Sequence, residues 1–296
     1  MCAVSMSMKR KWIIIGVLGS IVTVVSCFYI WCYSVLAPAE EQQPYQVKQR
    51  QDDTLRVVVI GDSWSMFHYQ LNRDSVLQSM LADKLHMPVK VLSRGKGGAN
   101  SKEIYYYMFS SLTVESEQSP DMCTQPLLEE HPDYCLISAG INDAAQGKGA
   151  SFFCQNYKYI LRLLLYNHIR PIVLELPTVV MDNKLNFRFE DFLNENRSFA
   201  KARLKMRLGF KLASLLNGAD MDTLDECRGA LKMMLESTNL MDSVIYIRTM
   251  DWNPDGYKDV RGIYLDDGTH LNLAGYNVLD SCLSEAIWKD YLMNAR

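Results

Sequence analysis

The stretch "LRVVVIGDSWSMF" (Leu55–Phe67) decides how the rest of the chain is read. Val57 to Ile60 is an unbroken β-branched run, the pattern of a strand buried on both faces. Gly61-Asp62-Ser63 ends it abruptly, and an amphipathic pattern follows. A strand ending this way delivers Ser63 to the carboxyl edge of a sheet, where open α/β folds bind their ligands. Gly-Asp-Ser is equally an ordinary turn sequence. The serine therefore means only as much as the groups that reach the same edge.

Outward from this strand, further apolar runs recur: "VKVLS" (89–93), "YCLISA" (134–139), "PIVLEL" (171–176) and "SVIYIR" (243–248). Helical patterns lie between and after them, over Ser75–Leu85, Lys102–Leu112, Phe152–His168 and Leu273–Tyr291. Strands alternating with helices imply an α/β three-layer sandwich, a five-stranded parallel sheet with helices on both faces. The connection over 178–242 is unusually long, about 65 residues where short links dominate compact domains. Within it, Leu204, Leu208, Leu212 and Leu215 share one helical face, and Arg203, Arg207 and Lys211 line another. A core-packed helix with a solvated basic face explains this; a cap that recruits anions or lipid headgroups is the alternative.

The amino terminus differs in kind. After residues 1–11, which end in Lys9-Arg10-Lys11, the span 12–39 carries no charge. It exceeds the roughly 20 apolar residues that cross a bilayer. The basic cluster predicts a cytoplasmic amino terminus and an extracytoplasmic remainder, in a single-pass signal anchor. A cleaved signal peptide with "APAE" as its processing site, or a lipoprotein signal ending at Cys27, would export the remainder as well. Residues 40–53 are polar and read as a linker, leaving 54–296 as one folded domain.

A net charge of −3 over 296 residues gives no basic patch of the kind nucleic acid requires. The eight cysteines include no Cys-x-x-Cys pair, which argues against a zinc cluster. Cys135, inside a strand pattern, reads as a small core residue.

Serine becomes a nucleophile only when a base takes its proton. His68 follows Ser63 on the same helix and has no evident acidic partner. His86, His131 and His168 sit at element ends beside prolines, as surface or capping residues. His270 is different. It follows the fifth strand in "YLDDGTHLNLAGY", with Asp267 three residues before it. That spacing in a tight turn can set a carboxylate at Nδ1 and leave Nε2 for a serine hydroxyl. Two more loops leave the same edge, "SRGKGGANS" with Gly95, Gly97 and Gly98, and "SAGINDA" with Asn142. The glycine loop does not fit a phosphate-binding P-loop.

In this order the four segments resemble the blocks of the SGNH hydrolase (GDSL esterase/lipase) superfamily, across nearly all of residues 55–290. Gly61-Asp62-Ser63 resembles its nucleophile block and Gly98 its second-block glycine. Gly140-x-Asn142-Asp143 matches the third block, and Asp267-x-x-His270 the last. Ser93 departs from the pattern, since an asparagine often stands there, and this leaves Gly97 as a second candidate donor. The resemblance implies a flavodoxin-like fold and a serine esterase in which Ser63 attacks, His270 takes the proton and Asp267 orients the ring. Ser63 and Gly98 backbone amides with the Asn142 side chain would bind the oxyanion, Asp62 and Asp143 would fix loops, and no metal or cofactor is implied. The expected substrate is an O-acyl, most simply O-acetyl, ester of a carbohydrate or cell-surface glycan. A glycan O-acyltransferase using the same triad, or a lipase or lysophospholipase, are the alternatives.

Overall fold

In a computed structural model that describes residues 8–111, 120–146, 148–177, 224–253, 262–265 and 269–294, five strands pair in parallel. They are β1 (Leu55–Gly61), β2 (Val89–Gly95), β3 (Tyr134–Ser138), β4 (Arg170–Leu174) and β5 (Ile245–Ile247), in the order β2-β1-β3-β4-β5. Val57, Val58, Val59 and Ile60 are at most 2% exposed, so the β-branched run is buried on both faces as its pattern requires. Each such side chain contributes roughly 1.5–3 kcal/mol by leaving water. The register aligns Gly61 with Gly95 on one side and Ser138 on the other. The chain therefore leaves the sheet at one level on three adjacent strands. The strand order reverses at β1, making the crevice between the ends of β1 and β3 the switch point.

Helices α2 (Ser63–Gln70), α3 (Arg73–Leu85) and the carboxyl-terminal α10 (Leu273–Asn294) pack on one face. The opposite face carries α4 (Ser101–Tyr107), α7 (Ala150–Tyr166) and α8 (Leu224–Ser237). Three short α-helices, α5 (Gln125–Glu129), α6 (Ile141–Ala145) and α9 (Thr249–Trp252), and two 3-10 turns at Pro120–Met122 and Met241–Ser243 lie between these elements. The long crossover contributes α8, which buries Cys227, Leu231 and Leu235. The basic stripe from Arg203 to Lys211, and with it the cap reading, lies outside the described residues.

Two units divide the chain, 1–37 and 38–296. The first is dominated by α1 (Met8–Leu36), in which Trp12–Ile30 has mean hydropathy 2.4 and is long and apolar enough to cross a membrane. The helix stops short of Ala39 because Pro38 disfavours helical backbone at the residue before it. In the second unit, residues 40–53 take no regular secondary structure, but they are not a loose linker. The compact unit begins at Pro38, and Ala39 and Val47 are both 5% exposed. Backbone groups along this segment bond to side chains of α4 and α7, so it is a strap on the domain.

Candidate active site

Gly61 explains why β1 can release the chain here. Its φ is +147°, and a Cβ would meet the Ser138 carbonyl oxygen at 2.0 Å, so only glycine fits. Asp62 then caps α2, its Oδ1 accepting from the Trp64 N–H at 3.0 Å and from Ser138 Oγ at 2.7 Å. Burial pushes the Asp62 carboxyl up to about 6, against the opposing hydrogen bonds from Ser138 and Trp64 and the charge of His270. Ser63 is thus the first residue of α2, partly exposed above a buried carboxylate.

His270 reaches it from a small hairpin. Tyr264 and Leu271 form an antiparallel bridge, the Leu265 N–H donates to the His270 carbonyl at 2.7 Å, and the Asn272 N–H donates to the Ile263 carbonyl at 2.9 Å. The Trp64 indole N–H donates to the Thr269 carbonyl at 3.1 Å, tying the residue after the serine to the one before the histidine. His270 Nε2 lies 2.9 Å from Ser63 Oγ. The Phe67 ring, one turn along α2, stands edge-to-face against the imidazole, with centroids 4.9 Å apart. The imidazole therefore touches the first turn of α2 at two points. Asp267, the expected orienting acid, lies outside the described residues.

Two further loops leave the sheet at the same level as Ser63. Gly98 has φ +80° and is exposed, and its carbonyl accepts from Gln146 Nε2 at 2.9 Å. Among the described residues the N–H groups of Ser63, Gly97 and Gly98 have no acceptor. Asn142 Nδ2 donates to the Ala99 carbonyl at 3.0 Å and stands 3.5 Å from Asp62 Oδ2, at the outer limit of a hydrogen bond. Behind Asn142, Asp143 is fully buried and accepts both the N–H and the hydroxyl of Ser101. A hydroxyl within hydrogen-bond reach of an imidazole nitrogen, at the first turn of a helix, has the pairing that acyl transfer uses.

The profile of the GDSL-like lipase/acylhydrolase family matches residues 59–278.

The chain belongs to this family.

It is a carboxylic ester hydrolase of the GDSL type, built on a five-stranded parallel sheet. Solved structures similar to it include an acetyl-xylooligosaccharide esterase variant from Geobacillus, at 14% identity and TM-score 0.50, covering 79% of this chain and 95% of that one. The psychrotrophic esterase EstA from Pseudoalteromonas is similar at 15% identity and TM-score 0.48, over 82% and 100% of the two chains. A GDSL-like lipase from Bacteroides thetaiotaomicron is similar at 13% identity and TM-score 0.46, over 79% and 88%. No curated protein sequence matches the chain.

His68 corrects the sequence reading. It is buried, with Nδ1 2.9 Å from Asp74 Oδ1 and Nε2 3.0 Å from Asp280 Oδ1, so it has two acidic partners rather than none. Asp280 lies far along the chain, which is why spacing did not reveal it. Ser93, at the position where the family often has asparagine, donates its N–H to Asp74 Oδ2 at 3.0 Å and its hydroxyl to Asp74 Oδ1. His86, His131 and His168 all adopt left-handed backbone at the ends of helical segments. Trp64 and Phe67 escaped the reading because aromatic side chains announce no chemistry in sequence.

Proposed function

We propose that this family member is an exported serine esterase that removes acyl groups, most simply acetyl, from a carbohydrate or cell-surface glycan. The 2.9 Å contact between Ser63 Oγ and His270 Nε2 carries the reading. Ser63 Oγ attacks the ester carbonyl while His270 Nε2 accepts its proton, with Asp267 orienting the ring. The tetrahedral oxyanion is held by the Ser63 and Gly98 N–H groups and the Asn142 amide. Collapse passes the proton to the departing sugar oxygen and leaves acyl-Ser63. Water, deprotonated by His270, then releases the carboxylic acid and restores the serine. Each oxyanion donor is worth about 2.7–4 kcal/mol in the transition state.

Lys9-Arg10-Lys11 before the apolar span Trp12–Ile30 supports a cytoplasmic amino terminus and an extracytoplasmic domain. The similarity to an acetyl-xylooligosaccharide esterase supports a small acyl group on a sugar. The full chain in detergent is expected to release acetate from p-nitrophenyl acetate and from acetylated oligosaccharides. Ser63→Ala and His270→Ala are each expected to lower the rate by at least about 10⁴-fold. Hydrolysis persisting in Ser63→Ala removes that serine as nucleophile. Acetylated sugar outweighing free acetate, when an oligosaccharide acceptor is added, replaces the hydrolase with a transferase. A preference for long-chain esters replaces the glycan with a lipid.

A further inference from the structure

The strap over residues 38–53 is bound at intervals by polar side chains. The Ala39 N–H donates to Asn156 Oδ1 at 2.7 Å, and the Gln42 N–H to the Tyr105 hydroxyl at 2.7 Å. Farther along, the Val47 N–H donates to Asn167 Oδ1 at 2.7 Å, and Asn167 Nδ2 donates back to the Tyr45 carbonyl at 3.0 Å. Asn156 is fully buried on the apolar face of α7, where an amide is costly unless both its ends are satisfied. Its Nδ2 donates to the Phe152 carbonyl at 2.9 Å and to Ser101 Oγ at 3.2 Å. Ser101 gives its N–H, at 2.9 Å, and its hydroxyl to the two oxygens of Asp143.

This chain of bonds ends at the site. Asp143 follows Asn142, and Ser101 opens α4 directly after the loop bearing Gly98. The Asp143–Ser101 contact therefore fastens together the two loops that carry the oxyanion donors. An amide accepts at one end and donates at the other, so the Ala39 N–H on Oδ1 dictates that Nδ2 faces Ser101. With its oxygen committed to Asn156 as acceptor, the Ser101 hydroxyl sends its hydrogen to Asp143. From this geometry we infer that Asn156 is a positioning residue for ester cleavage, set in its working orientation by Ala39 of the strap. The inference rests on the serine-esterase reading above. The strap thus belongs to the catalytic unit. Oxyanion donors act on the transition state more than on bound ester, so misplacing them lowers kcat and leaves KM nearly unchanged.

Three variants of the full chain in detergent test this with p-nitrophenyl acetate. Asn156→Asp keeps an acceptor for the Ala39 N–H but loses the donor to Ser101. Ala39→Pro removes the N–H and leaves Asn156 intact. Val47→Pro removes the comparable bond at the Asn167 end of the strap, away from Asp143. The first two are expected to lower kcat about tenfold per folded molecule, with KM within about twofold, since a displaced donor loses part of a full donor's effect. Val47→Pro is expected to keep its kcat. Unchanged kcat in Asn156→Asp and Ala39→Pro, or an equal loss in Val47→Pro, overturns the inference and reduces the strap to a stability element. If one of the first two variants does not fold, the other decides. Ser63→Ala measured alongside separates the two levels: hydrolysis surviving there sinks the esterase reading itself.

Discussion

The Ser63–His270 contact is held in place by the serine's sequence neighbour. Trp64 packs edge-to-face on Trp252 and Tyr264 and spends its indole N–H on the Thr269 carbonyl. Its own carbonyl accepts from the Tyr276 hydroxyl at 2.8 Å. Trp64→Phe keeps the apolar contact and deletes one hydrogen bond, worth about 1 kcal/mol. It is expected to lower kcat/KM about fivefold with little change in substrate affinity; an unaltered kcat/KM would show that the His270 hairpin holds itself in place. Residues of this kind explain what sequence could and could not reveal at this scale. The Ser63–His270 pairing was legible because the serine ends a β-branched strand and the histidine sits in a polar turn with a carboxylate three residues before it. Trp64, Phe67 and Asn156 were not, because each acts through a tertiary contact that leaves no periodicity. His68 was misread because Asp280 is brought to it by the packing of α10 and Asp74 by the turn between α2 and α3.

Among the elements, α2, α3 and α10 are joined by a buried charge cluster. Arg73 Nε and Nη2 donate to Asp280 Oδ2 at 2.9 and 2.6 Å, and His68 bonds the other oxygen. Both imidazole nitrogens of His68 face carboxylates, which suits the doubly protonated ring. Burial alone would lower its pKa, but the hydrogen bonds and charges of Asp280 and Asp74 outweigh it and raise the net value. This contribution to stability is therefore complete below the unfolded pKa, about 6.5, and is lost as pH rises through the higher folded value. Asp280→Ala strands Arg73 and His68 and is expected to cost about 3–5 kcal/mol in denaturant unfolding. It should also weaken the fall in stability as pH rises above about 6.5; a loss within about 0.5 kcal/mol would mean the cluster is dispensable. The five strands were legible from short apolar runs of Val, Ile and Leu alternating with helical patterns. Helix ends were less so: α4 starts at Ser101 through the Asn100–Glu103 capping box and stops at Tyr107, short of the apolar pattern, where the Tyr107 carbonyl is taken by the Thr124 N–H. The five-residue helices α5 and α6 are too short for any 3.6-residue period to register.

Across the whole molecule, folding buries two carboxyls close to the site. Burial raises both Asp62 and Asp143 to about 6, Asp143 being pushed further by the charge of Asp62. A carboxyl whose folded pKa is raised holds its proton more tightly in the native state. Its contribution to stability is full below about 3.9 and disappears as pH climbs through 6. Asp143→Asn is expected to flatten this decline, which thermal melts at pH 4.5 and 7 would register; an unchanged difference between the two melts would show that Asp143 ionises freely. The strap has a practical side at this scale. A gene trimmed to start at Thr54, where the hydrophobic pattern begins, would encode a protein with an open seam along α7, its asparagine amides facing water in place of the missing backbone. Such a product would be recovered as a misassembled or sluggish enzyme whose poor turnover says nothing about the native chemistry, whereas one cut before Pro38 keeps the seam closed.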